Sequence, residues 1–167
     1  MDSDQKTGTM ATIIKDSFTH RIQSAFVDGM EYLIHVHLPP AYGMNGDSYP
    51  VIYYTDAFVC TEIVTGTKKI LELSGKIANT ILVGISHEGD FMRFVVDRSR
   101  DLIPTHVPQD KVTVYPEATP ASGGADNFLA FIEHELFPLV EKEYRVDKSN
   151  RGLLGRAMVD YSRLGRW

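Results

Sequence analysis

The sequence predicts an α/β fold with an N-terminal hairpin, a mostly parallel central sheet and covering helices, on three observations. Two continuous apolar, β-prone runs, 51–55 and 81–85, enclose a helical candidate at 62–78, and strands this apolar in strand, helix, strand order belong to a parallel sheet buried on both faces. Two β-rich runs, 22–27 and 31–38, flank Asp28-Gly29, a pair that favours a tight hairpin. An amphipathic stretch at 125–144 then leads into a short buried strand at 152–155.

In chain order, residues 1–17 are polar and read as a flexible arm, and 18–167 as one partial domain. In 32–38 the alternation puts Tyr32, Ile34, Val36 and Leu38 on one face and Leu33, His35 and His37 on the other, before Pro39-Pro40 ends the strand. A loop at 43–50 delivers the central strand, and Asp56 sits at its C-terminal end. The 62–78 helix rests on Ile63, Ile70, Leu71 and Ile77. From Ser86 to Gly124 the chain reads as one long polar connection carrying Arg93, Asp97, Arg98, Arg100 and Asp101, a length that points to function or disorder. Leu129, Ile132, Leu136 and Val140 make the apolar stripe of the next helix, which Pro138 should bend or divide by removing a donor and crowding the carbonyl of His134. Residues 146–150 read as a turn.

With 167 residues, 43% hydrophobic and 23% charged, the chain can bury a real core, roughly 70% of its unfolded surface. A net charge of -5 offers no broad positive field, so nucleic acid and anionic membrane are not expected partners. Cys60 is the only cysteine, which excludes an internal disulfide and reads as buried filling. No apolar run reaches membrane-spanning length, and Met1-Asp-Ser-Asp-Gln-Lys lacks the pattern of a signal peptide, so a cytoplasmic location is expected.

The strand at 152–155 runs into Gly155-Arg-Ala157-Met158-Val159, the outline of the sharp turn that presents a catalytic serine in Gly-x-Ser-x-Gly. Gly155 allows the close approach that the turn needs; Val159, β-branched, does not. Ala157 has no hydroxyl and cannot attack a carbonyl.

Leu38-Pro-Pro-Ala-Tyr42, Tyr49-Pro-Val-Ile-Tyr-Tyr-Thr-Asp56, Ile81-Leu-Val-Gly-Ile85, Arg98-Ser-Arg-Asp-Leu-Ile-Pro-Thr105, Gly123-Gly-Ala-Asp-Asn-Phe-Leu129 and Glu143-Tyr-Arg-Val-Asp147 resemble segments of an esterase family of α/β-hydrolases. That family includes enterochelin and other siderophore esterases and the S-formylglutathione hydrolase-like carboxylesterases. The resemblance covers about residues 20–158. It implies a truncated α/β-hydrolase three-layer sandwich, the N-terminal half only of the family's domain, with the acid and histidine of the triad lying beyond Trp167. It further implies ester hydrolysis through an acyl-enzyme, no cofactor, a small ester or siderophore-like ligand, an oxyanion hole from the backbone of Asp56, Ala57 and Met158, and Ala157 at the nucleophile position. Descent from a carboxylic ester hydrolase with activity lost is the reading that follows. Among explanations for the change at Ala157, a truncated or frame-altered gene product is expected to account for both the divergent 160–167 tail and the early stop, ahead of an engineered Ser-to-Ala change or a dedicated non-catalytic partner.

Two alternatives stand beside it: a non-catalytic ligand-binding or protein-interaction module, and a hydrolase using Ser86 or His87. His87 and Glu88 follow a strand end and are candidates for a pocket wall. Arg93, Arg98 and Arg100 either receive an anionic or catecholate ligand there or form an internal network with the neighbouring aspartates. His35 and His37 share a strand face without a third ligand, so no metal site is expected. An uncovered 152–155 edge would allow a homodimer.

Overall fold

The structure, a computed structural model, describes residues 14–111 and 122–155. Its strands are β1 (Ser17–Gln23), β2 (Glu31–His37), β3 (Tyr49–Tyr54), β4 (Ile81–His87) and β5 (Val146–Leu154), in the sheet order β1-β2-β4-β3-β5. The alternation of β2 sets the two faces. Tyr32, Ile34 and Val36 are fully buried on one, while Leu33, His35 and His37 occupy the other. β3 and β4 are buried throughout or nearly so, as central strands should be. The sheet is mixed, however, where a mostly parallel one was expected: β2 runs antiparallel to both β1 and β4, and only the β4-β3 and β3-β5 pairs are parallel. The hairpin accounts for this, because its second strand inserts beside β4 without a crossover helix to reverse it.

Helices cover both faces. α1 (Ala57–Leu73) connects β3 to β4 and packs on Tyr54 and Leu82. α2 (Phe91–Leu102) follows β4, and α3 (Ala125–Phe131), a π-helical turn (Ile132–Leu136) and α4 (Phe137–Glu143) form one rod on the opposite side. That rod contributes Phe128, Phe131, Ile132, Leu136, Phe137 and Val140 to the larger core, against Tyr32, Ile34, Val51, Tyr53 and Val83. The division expected at Pro138 takes the form of the π turn: Phe137 donates its amide to Ile132, and Pro138 starts the next helix, where a missing donor costs least. Among the described residues no helix is long and apolar enough to cross a membrane.

Four boundaries differ from the sequence reading, each for a physical reason. β1 spans Ser17–Gln23 in place of 22–27, because an edge strand with one solvated face needs few apolar residues. The intervening turn is wide, held by Ser24, whose hydroxyl accepts the amides of Phe26 and Val27 at 3.1 and 3.0 Å. α1 begins directly after Asp56, and its orientation is the reverse of its pattern: Thr65 and Lys68 are buried, while Ile63, Ile70 and Leu73 face outward. Lys68 tolerates this by pairing with Glu72 at 3.0 Å. The supposed long connection contains α2, hidden because its buried face carries Asp97 and Asp101 beside Phe94, Val95 and Leu102. β5 takes in the 146–150 segment, but its pairing passes from Val146 opposite Tyr49 to Arg151 opposite Val51, and Asp147 folds back onto Ser149 in between.

Candidate functional site at the ends of β3 and β4

β3 ends at Tyr54, and two residues on the backbone of Asp56 turns through the left-handed region, with φ 58°. That conformation is costly for a residue with a Cβ and needs fixing from outside. Arg98 of α2 supplies it: its Nε and one terminal nitrogen donate to the two carboxylate oxygens of Asp56 at 2.7 and 2.8 Å. The pair is bidentate and almost wholly buried, the geometry in which guanidinium is least replaceable. Because the carboxylate is spent on Arg98, it does not cap α1, although Asp56 occupies the capping position. The first turn of α1 therefore begins at Ala57 without its side-chain acceptor, leaving the positive end of the helix directed at whatever lies beyond the strand ends.

At the end of β4, His87 is buried and its Nε2 lies 2.8 Å from Asp101. Asp101 also accepts from the Tyr32 hydroxyl at 2.7 Å and from Arg100 Nε at 2.7 Å. Burial alone would raise its pKa, but the bonds from His87 and Arg100 prevail and hold it below the usual carboxylate range. Burial first, and then the negative charge of Asp101, pushes the Tyr32 phenol far up, so it stays protonated and donates. An ionised Asp101 accepts, which assigns the hydrogen to Nε2 of His87. Its Nδ1 is buried and has no hydrogen-bond partner among the described residues.

The three arginines are each engaged by an aspartate. Arg98 binds Asp56, Arg100 bridges Asp101 and Asp97, and Arg93 donates to Asp97 at 2.6 Å. Glu88 turns away to an exposed pair with Arg21 of β1 at 2.9 Å. Ala157 and Met158, the expected nucleophile position and second oxyanion donor, lie outside the described residues. Ser86 is buried, with its hydroxyl 3.4 Å from the carbonyl of His87. On the α1 side of the sheet an open cleft of about 480 Å³ runs from Ser86, His87 and Ala57 to Ser17 and His37 on the hairpin.

Sequence reasoning noted Asp97 and Asp101 as neutralising charges but missed Tyr32 as a polar partner. An inward-pointing tyrosine on a core face was itself the signal, since a buried phenol needs an acceptor. The His87–Asp101 pair was legible only with α2 in place, which puts residue 101 back over the end of β4.

Comparison with known proteins fits this arrangement. The family model described as "Putative esterase" matches residues 23–162. The chain is 35% identical over 127 residues to the ferri-bacillibactin esterase BesA of Bacillus subtilis, covering 72% of this chain and 40% of that one. In structure it is similar to the BES protein of Bacillus cereus, with a TM-score of 0.74, 25% identity and coverage of 90% and 55%, and to an IroE-like serine hydrolase of Shewanella oneidensis, with a TM-score of 0.70, 26% identity and coverage of 86% and 43%. The chain thus spans about half the length, or less, of these relatives. The likeness is not to an N-terminal half only, as the sequence reading had it: matched solved structures cover 83% to 91% of the chain, and the family model's match at 23–162 takes in β5. With a family match over most of its length and the strand order, helix placement and strand-end network just described, the chain belongs to this esterase family, which has an α/β-hydrolase-like fold related to the siderophore esterases.

Proposed function

We propose that the chain binds a carboxylic ester of the siderophore type at the ends of β3 and β4 and does not turn it over. What supports this is the contrast between the fixed turn at Asp56 and Ala57, where the family resemblance puts one half of an oxyanion hole, and the alanine where it puts the nucleophile. Asp56 is held in a left-handed turn by Arg98 so that α1 starts, uncapped by that carboxylate, at Ala57, and position 157 has no hydroxyl. In an ester hydrolase those amides stabilise the oxygen on which charge develops; without attack they still orient a carbonyl. The relatives' names, ferri-bacillibactin esterase among them, supply the ligand class.

A second reading is favoured by one specific feature, the Asp101-oriented His87, whose Nδ1 has no hydrogen-bond partner among the described residues. This is how a general base is held, and with water as nucleophile it would give slow hydrolysis. Replacing His87 with alanine separates the two. Calorimetric titration with a non-hydrolysable catecholate ester analogue tests the main reading: saturable binding at up to millimolar ligand is expected, and no binding at that concentration would contradict it.

A further inference from the structure

A serine hydroxyl and an imidazole face each other at the other end of the cleft, remote from the family's nucleophile position in sequence. Ser17 and His37 are cross-strand partners in the β1-β2 register, and Ser17 Oγ lies 2.7 Å from His37 Nδ1. The hydrogen bonds around His37 determine which ring nitrogen carries its proton. Thr61 donates to the carbonyl of Ala57 at 2.6 Å, so its oxygen is left to accept. Tyr54 lies 3.0 Å from that oxygen and must be the donor. The phenol oxygen of Tyr54 then accepts from His37 Nε2 at 3.3 Å. Nδ1 is consequently the unprotonated nitrogen, and the Ser17 hydroxyl donates to it at 2.7 Å in preference to its other acceptor, the carbonyl of Lys15 at 3.5 Å.

We propose that Ser17 and His37 form an acyl-accepting dyad, with Ser17 as nucleophile, His37 as its general base and Tyr54 as the positioning residue. A hydroxyl already bonded to an unprotonated ring nitrogen of fixed tautomer is the arrangement nucleophilic catalysis requires. Burial, which lowers the His37 pKa, keeps that nitrogen free of a proton at neutral pH, although it also weakens it as a base. Ser17 is half-buried and, with His37, lines the cleft of about 480 Å³ among Phe18, Leu33, Phe58 and Glu62. These walls suit a small uncharged aryl or short-chain acyl ester, and Glu62 disfavours an anionic one. In the step, Ser17 Oγ bonds to the carbonyl carbon and its proton passes to His37 Nδ1. The tetrahedral adduct then breaks its bond to the leaving phenol oxygen, which takes the proton from His37. The products are acyl-Ser17 and a phenol. This site does not depend on the ester-binding reading above, and its test does not read that site.

The folded chain is incubated with p-nitrophenyl acetate, and acetyl groups are located by intact mass and peptide mapping. One acetyl is expected on Ser17, forming about a hundredfold faster than in heat-unfolded chain, with no such labelling in Ser17→Ala. Acetylation confined to Lys15, Lys69 or other amines, or Ser17 labelling no faster than in unfolded chain, would overturn the dyad. Nitrogen-15 NMR of His37 gives a reading independent of reactivity. A pyridine-type Nδ1 and pyrrole-type Nε2 are expected in the unaltered chain, with that assignment lost and labelling slowed in Tyr54→Phe. A protonated Nδ1 in the unaltered chain would sink the assignment.

Discussion

Arg98 grips Asp56 with two parallel bonds, of 2.7 and 2.8 Å, and so joins α2 to the residue that launches α1. Both side chains are largely buried, so truncating Arg98 leaves a carboxylate without its counter-charge in a left-handed turn. Arg98→Ala should lower stability by about 3–5 kcal/mol, and Arg98→Lys should recover only part of this because an ammonium cannot bind both oxygens in the plane. Urea unfolding followed by circular dichroism measures both. A loss under about 1 kcal/mol for the alanine variant would show that the pair is not what fixes the turn.

Gly84 of β4 is required by Tyr54. A Cβ at position 84 would lie 2.5 Å from the Tyr54 ring and hydroxyl and 2.9 Å from Ala57. Gly84→Ala should therefore destabilise by about 1–3 kcal/mol, and more if the ring cannot move. Gly66 of α1 has open space at the same distance and makes a matched control, which Ala should leave unchanged or slightly stabilise. Equal midpoints for the two variants would contradict the packing.

Much of the central architecture was legible because β2, β3 and β4 carry their burial in their patterns: Tyr32, Ile34 and Val36 face the core as alternation requires, and 51–55 and 81–85 are apolar throughout. The helices were harder, since α1 buries Thr65 and Lys68 and exposes Ile63, Ile70 and Leu73, while α2 buries two aspartates. In both cases polar groups satisfied by specific partners, Glu72 for Lys68 and Tyr32, His87 and Arg100 for Asp101, overrode the apolar period. Partners so distant in sequence leave no local trace. The strand-end position of Asp56, Ala57 and His87 was readable from β3 and β4 alone; the bonds among Asp56, Arg98, His87 and Asp101 were not.

The hydroxyl of Tyr32 is one of the partners holding the Asp101 charge in the interior. Tyr32→Phe keeps the ring stacked on Phe131 but removes that donor, and should cost about 1.5–3 kcal/mol. His87→Phe would remove a second donor to the same oxygen, so a double-mutant cycle should show the two losses to be non-additive. Strict additivity would argue against a shared network.

His37 makes stability depend on mild acid. Burial first, then the charges of His35 and Lys68, lowers it from 6.5 to about 4, with the Ser17 and Tyr54 hydroxyls and Glu62 as its other polar neighbours in the cleft. Between those values the unfolded chain binds a proton that the folded chain refuses. The stabilisation is whole above the unfolded value and is lost as pH falls toward 4, by on the order of 3 kcal/mol at most. His37→Gln should flatten the urea midpoint over that window. An unchanged slope would place the acid sensitivity elsewhere.

The most direct test of the central claim is steady-state hydrolysis of a short-chain aryl ester by purified chain, beside heat-unfolded chain and Ser17→Ala, counting product beyond the first equivalent. On the proposal that Ala157 takes the place of the nucleophile, folded chain should release no more product after that equivalent than unfolded chain does. Continued turnover that tracks with folded protein and survives Ser17→Ala would contradict the account, and its loss in His87→Ala would identify the strand-end histidine as the base responsible.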